Sequence, residues 1–206
     1  MQPVERGVVG PWMLVACAVV YAATGTGCAV DGPEVVPGRL PWGVTRVDLN
    51  GDGHRDVVIR SWRENHNAHG FSVYDVFVWK GKALHRVVLP EPAGRGYALS
   101  LISVQGADCV LRDVYLVRRR GRAMLMLAER PLGQGYAAAE PVTFSLLRVE
   151  ESREEVPGMP RFVLRAAEEK RTARPYCDVH EALRAEAGTG FSGAGCRSGR
   201  CRRRVR

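Results

Sequence analysis

Residues 48–56 carry alternating oxygen-bearing side chains whose spacing suits a calcium ion. Calcium takes about 6 to 8 oxygen ligands at roughly 2.3 to 2.6 Å, and alternate residues of a tight loop can turn their oxygens toward one point. Oxygen-bearing side chains stand at the first, third, fifth and ninth positions of the stretch. We therefore predict a structural calcium bound by the side chains of Asp48, Asn50, Asp52 and Asp56 and by the backbone carbonyl of His54.

The residues on either side of this loop favour two strands over two helices. An EF-hand needs a carboxylate at its twelfth position, and that position here is Ile59. The β-branched residues within 44–47 and 57–59 are typical of strands, and Gly53 tolerates the positive φ of a sharp turn. The nine residues resemble the calcium loop of FG-GAP and VCBS-type repeats. A polar hairpin turn without a metal is the alternative.

A second polar cluster at residues 63–69 raises the possibility of metal-dependent hydrolysis. His66 and His69 lie three positions apart beside Glu64, and on a helix both imidazoles would share one face. The intervening asparagines favour a loop, and zinc would lack third and fourth ligands nearby. We favour a structural loop, with ligand binding and a catalytic metal as alternatives. The residues assigned to this loop are Arg63, Glu64, Asn65, His66, Asn67 and His69.

Motifs of nucleophilic catalysis are missing from the sequence. It contains neither Ser-x-x-Lys nor Gly-x-Ser-x-Gly, the arrangements that activate a serine in two large groups of acyl-transfer enzymes. A Gly-rich phosphate loop is missing as well. We therefore expect no catalytic residues and a protein that is not an enzyme.

The first 28 residues predict export. Arg6 precedes an apolar run over residues 8–23, and small residues lead up to Cys28, as in a secretory signal peptide. Cleavage nearby would release the protein into the periplasm, whereas acylation of Cys28 would make a lipoprotein anchored to a membrane. Both outcomes remain open.

The cysteines fit an oxidising compartment. Of the six, Cys17 lies in the apolar run, and Cys28 is the lipidation candidate. The remaining four, Cys109, Cys177, Cys196 and Cys201, are an even number, which favours two disulfides in an exported protein with three possible connectivities. A zinc site is the alternative, but the spacings lack a pair of Cys-x-x-Cys units.

The positive charge is concentrated at the end of the chain. The net charge is +8, and residues 188–206 hold six arginines and no acidic residue, which leaves +2 for the remainder. This segment also lacks apolar residues to bury, so we predict a disordered Arg-rich tail. It could contact an anionic surface, but the nearly neutral remainder argues against nucleic acid as a partner.

The rest of the sequence predicts a mainly β fold. Prolines in residues 29–42 indicate an extended tether, and residues 43–187 form the predicted calcium-binding β domain. Residues 71–79 are apolar on both faces, which predicts a strand covered on both sides, and Asp178 can cap a helix over residues 179–187. With one copy of the calcium loop, a propeller is excluded. We expect an antiparallel sandwich or barrel-like sheet with one short C-terminal helix.

Two aspartates interrupt apolar strands. Asp75 and Asp113 would each need a partner if they point inward. The arginines near them in the sequence, Arg60, Arg63 and Arg112, are the predicted partners.

Several short blocks together resemble a known family. In order, they are residues 63–71, 108–113, 128–130 with 133–136, 141–144 and 175–179. They resemble the periplasmic carbapenem intrinsic-resistance proteins of carbapenem-producing bacteria and their uncharacterised relatives, over roughly residues 44–183. The resemblance implies an exported β-rich protein that protects the cell envelope against a β-lactam without being a recognised β-lactamase. We predict a role without hydrolysis, with an unknown envelope protein or cell-wall component as the partner. The alternatives are an FG-GAP-like interaction module and a metal-dependent hydrolase that uses His66 and His69.

Overall fold

The computed structural model describes residues 38–66, 69–91, 96–119, 121–152 and 157–186 of the 206-residue chain. The predicted signal peptide, the arginine tail and the first part of the predicted tether lie outside these residues, as do Cys28, Asn67, Cys196 and Cys201.

The described residues form twelve strands and one helix, as the prediction of a mainly β fold with a short C-terminal helix requires. The strands are β1 (Gly38–Arg39), β2 (Gly43–Val47), β3 (Asp56–Arg63), β4 (Phe71–Lys80), β5 (Ala83–Pro90), β6 (Tyr97–Ala98), β7 (Leu101–Ile102), β8 (Val104–Gln105), β9 (Val110–Arg119), β10 (Arg122–Glu129), β11 (Glu140–Glu151) and β12 (Phe162–Tyr176). The helix, α1, spans Val179–Glu186. Among the described residues, no helix has the length and apolar character needed to cross a bilayer.

The strands join in the order β1-β9-β10-β11-β12-β5-β4-β3-β2, while β6, β7 and β8 pair with β5, β4 and β9. Pairing between described strands is antiparallel except between β12 and β5, which run parallel and pair at two positions. The sheet is thus two antiparallel halves joined by one short parallel contact.

Residues 38–47 supply both ends of this strand order. β1 pairs with β9 at one end, and β2 pairs with β3 at the other. Four Cα steps from Arg39 to Gly43 span at most about 15 Å, so the two ends must lie close together and the sheet must curl. Leu40, which lies between β1 and β2 in the sequence, is only 1% exposed. The fold is therefore barrel-like, and its described part begins before the predicted domain start at residue 43.

Alternation along the strands divides the core between the two faces of the sheet. Leu125 pairs with Leu147 in the cluster inside the curl, while Met126 pairs with Leu146 in a second cluster on the outer face. Helix α1 covers the outer cluster with Val179. The predicted cap of this helix is confirmed, because Asp178 Oδ1 accepts the N–H groups of the second and third helical residues at 2.7 and 3.3 Å.

Strand lengths and coverage differ from the sequence prediction at three places. β12 continues to Tyr176 through a charged stretch that predicted no strand, because β11 supplies hydrogen-bond partners along it. The mostly apolar residues 97–104 suit one strand by their sequence, but the structure has three two-residue strands within residues 97–105. In β4 only alternate residues are buried, and the opposite face is half-buried. Coverage on both sides is therefore only partial.

Candidate functional site

The predicted calcium loop connects β2 to β3 at one end of the curled sheet. Val47 and Asp56 are register partners at its base. Gly51 and Gly53 have φ angles of 82° and 86°, in the left-handed region that glycine adopts without a Cβ clash. The sharp turn expected at Gly53 is thus present.

Asp48 organises the first half of the loop. Its Oδ1 accepts the N–H of Gly51 at 2.6 Å, and its Oδ2 accepts the N–H of Gly53 at 2.9 Å. The backbone therefore curls around this carboxylate, so that the N–H groups of the fourth and sixth loop residues point at the side chain of the first.

Asn50 and Asp52 form two successive side-chain-to-backbone turns. Asn50 Oδ1 accepts the N–H of Asp52 at 3.0 Å, and Asp52 Oδ1 accepts the N–H of His54 at 2.8 Å. The His54 N–H is the main cause that lowers the pKa of Asp52 below its ordinary value. Asp52 is also exposed, which favours the ionised carboxylate as well.

Asp56 differs from the other three predicted ligands because it is fully buried. Its Oδ2 accepts the N–H of Leu49 at 2.9 Å, and its Oδ1 accepts the N–H of Trp79 in β4 at 3.2 Å. Burial raises the pKa of the Asp56 carboxyl despite these hydrogen bonds. In this arrangement Asp56 ties the end of the loop to the neighbouring strand, a role that its spacing in the sequence did not indicate.

The donor set fits calcium in part. A carboxylate oxygen can accept more than one bond, so Asp48 and Asp52 keep lone pairs beyond those used by the backbone. Within the described ranges, however, no three Asp, Glu, His or Cys side chains converge as a metal site built from them alone requires. A cation here would need Asn50 and backbone carbonyl oxygens as further ligands, which calcium accepts.

The second polar cluster is spread out by its contacts. Glu64 accepts the N–H groups of Asn65 and His66 at 3.0 Å and the indole N–H of Trp62 at 3.2 Å. These hydrogen bonds, above all the one from Trp62, lower the pKa of Glu64, and the lowered pKa makes Glu64 a weaker base.

His69 lies away from Glu64's contacts. Its Nδ1 is 3.1 Å from the carbonyl oxygen of Gln105, and its ring stacks on the ring of Tyr136.

The remaining members of this cluster are also placed apart. Arg63 lies over the ring of Phe71 at 4.9 Å. His66 is exposed and has a φ of 50°, and Asn67 is outside the described residues. The structure therefore brings Glu64 to the backbone of the loop and does not bring both histidines to one point.

Asp113 forms a buried network that sequence proximity did not predict. The residue is 1% exposed. Its carboxylate accepts the hydroxyl of Tyr74 at 2.5 Å and lies 3.2 Å from Nε2 of His180 and 3.6 Å from the guanidinium of Arg39. It joins β1, β4, β9 and α1.

The arginine partners predicted for the two aspartates are wrong. Arg60 donates to the carbonyl oxygen of Leu40 and to Ser72, and Arg112 pairs with Glu129. Asp75 instead accepts from Arg86 at 2.5 Å and from Ser100 at 2.8 Å. Arg86 comes from β5, which pairs with β4, and Ser100 directly precedes β7, which also pairs with β4. The predicted partners were instead chosen by distance along the chain.

One disulfide lies within the described residues. Cys109 and Cys177 are bonded, with Cα atoms 5.8 Å apart. The residues that follow them are also joined, because Asp178 Oδ2 accepts the N–H of Val110 at 2.9 Å. The disulfide and this hydrogen bond hold the start of α1 against the start of β9.

Known proteins match this chain over most of the sheet and the helix that follows it. The family model of the CarG-like carbapenem resistance proteins matches residues 40–185. No curated protein matches the chain. Among solved structures, the crystal structure of CarG is similar, with a TM-score of 0.60 and 20% identity over 72% of this chain and 93% of that chain. At this identity the structural match shows the fold alone. The family match covers most of the chain and confirms the resemblance, so the chain belongs to the family of CarG-like carbapenem resistance proteins.

Proposed function

We propose that this protein protects the cell envelope against a carbapenem without hydrolysing it. The family match over residues 40–185 carries the proposal. The contacts of the second polar cluster support the non-hydrolytic part, because Glu64 accepts three hydrogen bonds from its own loop and His69 contacts a backbone carbonyl.

Two measurements on the same material test this proposal. A carbapenem-sensitive strain that expresses the full chain should survive a higher carbapenem concentration than the strain without it. Purified protein incubated for hours with the drug should leave the drug intact by mass spectrometry. His66→Ala should behave as the unchanged protein in both. Loss of intact drug that depends on His66 would instead support the hydrolase alternative.

Export is part of the proposal, because a β-lactam acts outside the cytoplasm. The protein would work in the periplasm, or on a membrane if Cys28 is acylated. The intact mass of protein from the envelope fraction reports both the cleavage site and any lipid, and Cys28→Ser should remove the added mass and release the protein from the membrane. Retention of full-length protein in the cytoplasm would contradict export.

We further propose that calcium binds the loop between β2 and β3 through Asp48, Asn50 and Asp52. The curl of the backbone around Asp48 and the positive φ of Gly53 support it. Calcium would neutralise the two exposed carboxylates and stabilise the folded protein. We expect a higher Tm in calcium than in chelator, and loss of most of this difference in Asp52→Asn.

The control for this experiment is Asp108→Asn, at an exposed aspartate in another turn. It should keep the calcium response of the unchanged protein. An equal response in Asp52→Asn and Asp108→Asn would leave the metal-free hairpin turn as the better description of the loop.

A second candidate function, binding to an envelope protein or cell-wall component, is favoured by two exposed tryptophans. Trp42 is 56% exposed and Trp62 is 47% exposed, and their rings meet edge to face at 6.1 Å. Adjacent exposed aromatic residues often mark binding surfaces. Trp62→Ala should reduce sedimentation of the protein with isolated cell walls, while Leu84→Ala, at an exposed apolar residue on β5, should not. Equal sedimentation of both variants would contradict this candidate.

A further inference from the structure

A cavity of about 700 Å³ opens on the inner face of the curled sheet. One wall comes from β5 to β7, and the other comes from β9 to β12. Pockets for small ligands typically enclose about 300 to 1,000 Å³. The cavity is therefore large enough for a bicyclic molecule with a side chain.

The floor of the cavity is apolar. Leu101, Leu147 and Leu164 line it and are themselves buried, and Leu127 adds a partly buried side chain. These leucines come from opposite walls, since Leu101 lies on β7 and the others lie on β10, β11 and β12. A flat apolar ring system would contact both walls at once.

Polar side chains lie on the same face of the sheet as the leucines, two residues away from them along the strands. Ser145 precedes Leu147 by two positions and so shares its face, and it donates to its register partner Glu169 at 3.2 Å. Glu129 follows Leu127 by two positions and pairs with Arg112, whose Nε donates at 3.0 Å. Polar groups next to a core reduce stability unless they are paired, and each of these is paired across neighbouring strands.

Charges of both signs face the cavity, with one carboxylate in excess. The charged residues that line it are Glu91, Arg112, Glu129, Arg165 and Glu169. A simple anion would meet three carboxylates here, whereas a zwitterion finds a guanidinium for its acid and a carboxylate for its amine. Charge complementarity therefore favours a ligand that carries both.

We propose that this cavity binds a carbapenem reversibly, with preference for a carbapenem that bears an amine. The inference rests on the proposed function. Carbapenems carry a carboxylate on a compact bicyclic ring, so the ring lies on the leucine floor. The carboxylate accepts from the guanidinium N–H groups of Arg112 that its pairing with Glu129 leaves unused. The amine pairs with Glu169, and no covalent bond forms or breaks. The protein protects by holding the drug.

Calorimetric titration of the purified full chain tests this site with two probes, an amine-bearing carbapenem and the same molecule with its amine acetylated. Ala166 lines the cavity from an exposed position on β12. Ala166→Trp should weaken binding of the amine-bearing probe by at least about tenfold, a loss equivalent to one well-packed contact. Ala173→Trp, an exposed position on the same strand that does not line the cavity, should leave binding unchanged.

Glu169→Gln separates charge recognition from cavity filling. It should weaken binding of the amine-bearing probe by about tenfold, the size expected for loss of a charged hydrogen bond, and leave the acetylated probe unaffected. Equal Tm values for the variants, without ligand, would show that the fold is intact.

Three results would overturn the proposal: no saturation by the amine-bearing probe, equal loss in Ala166→Trp and Ala173→Trp, or equal affinity for both probes. Protection of cells by a protein that fails to bind would remove this site and leave the proposed function in place. Binding of the drug without protection of cells would leave this site in place and remove the proposed function.

Discussion

Tyr74 donates a 2.5 Å hydrogen bond to Asp113, although the two residues lie 39 positions apart in the sequence. Tyr74 belongs to β4 and Asp113 to β9, strands from the two halves of the sheet. His180 reaches the same carboxylate from α1. One buried carboxylate thus connects the two halves of the sheet with the helix that covers its outer face.

Asp113→Asn should destabilise the protein at neutral pH by about 1–3 kcal/mol, because the buried donors lose a charged acceptor. Burial acts to raise the pKa of Asp113, but the His180 imidazole at 3.2 Å, hydrogen bonds from Tyr74 and Val114 and the charge of Arg39 hold it below its ordinary value. A lowered folded-state pKa gives stability that is complete above the unfolded pKa, about 3.9, and is lost as pH falls through the folded pKa.

The pH dependence supplies the control for this prediction. Urea unfolding at several pH values should show the difference between Asp113→Asn and the unchanged protein shrinking below about pH 4. Asp108→Asn, at an exposed residue, should have little effect at any pH. A difference that stays constant down to strongly acidic solution would mean that the carboxylate charge is not what stabilises the fold.

Tyr74→Phe tests the other end of the same hydrogen bond. The phenyl ring keeps the packing and removes only the hydroxyl, so we expect a loss of about 1–2 kcal/mol and a higher pKa for Asp113. Tyr97→Phe is the control, because that hydroxyl is more exposed and donates to the sulfur of Met159 at 3.3 Å. Similar losses in both variants by urea unfolding would argue against a special role for Tyr74.

Asp56→Asn should lower the Tm by several degrees. Asp56 accepts the N–H groups of Leu49 and Trp79 with its two oxygens, and an amide has only one oxygen, so one buried N–H loses its acceptor. The expected cost is about 1–3 kcal/mol. If Asp56 acts only through these two hydrogen bonds, the decrease in Tm is the same in calcium and in chelator. A distinctly larger loss in calcium would make Asp56 a ligand.

Removing the disulfide should cost about 4 kcal/mol, because the bond closes a loop with a sequence separation of 68 residues and chain-entropy estimates for such a loop reach that size. Cys109→Ser should lower the urea midpoint in oxidising buffer, and reducing agent should lower that of the unchanged protein but not that of the variant. An unchanged midpoint in Cys109→Ser would show that the hydrogen bond between Val110 and Asp178 holds the helix by itself.

The elements that could be predicted from sequence are those whose signals lie within a few residues. Asp178 and the apolar positions after it define α1 locally, and the loop at 48–56 joins two strands that pair with each other. The charged second half of β12 could not be predicted, because its pairing with β11 and not its own apolar content makes it a strand.

The parts that escaped prediction depend on contacts between distant residues. Nothing in the sequence near Asp113 indicates Tyr74 or His180, since curling of the sheet and docking of the helix bring them together. The cavity was equally hidden, because Ser145 and Glu169 are polar residues that a single strand would place in solvent, and only the curl of the sheet brings them to one cavity.

Residues 38–47 contribute an outer strand to each side of the sheet, and both outer strands are short. Proteolytic removal of this one segment would expose the edges of β9 and β3 that now pair with β1 and β2. Each would then present a row of unsatisfied backbone groups, which is the usual starting point for edge-to-edge aggregation. These ten residues therefore protect the domain from aggregation.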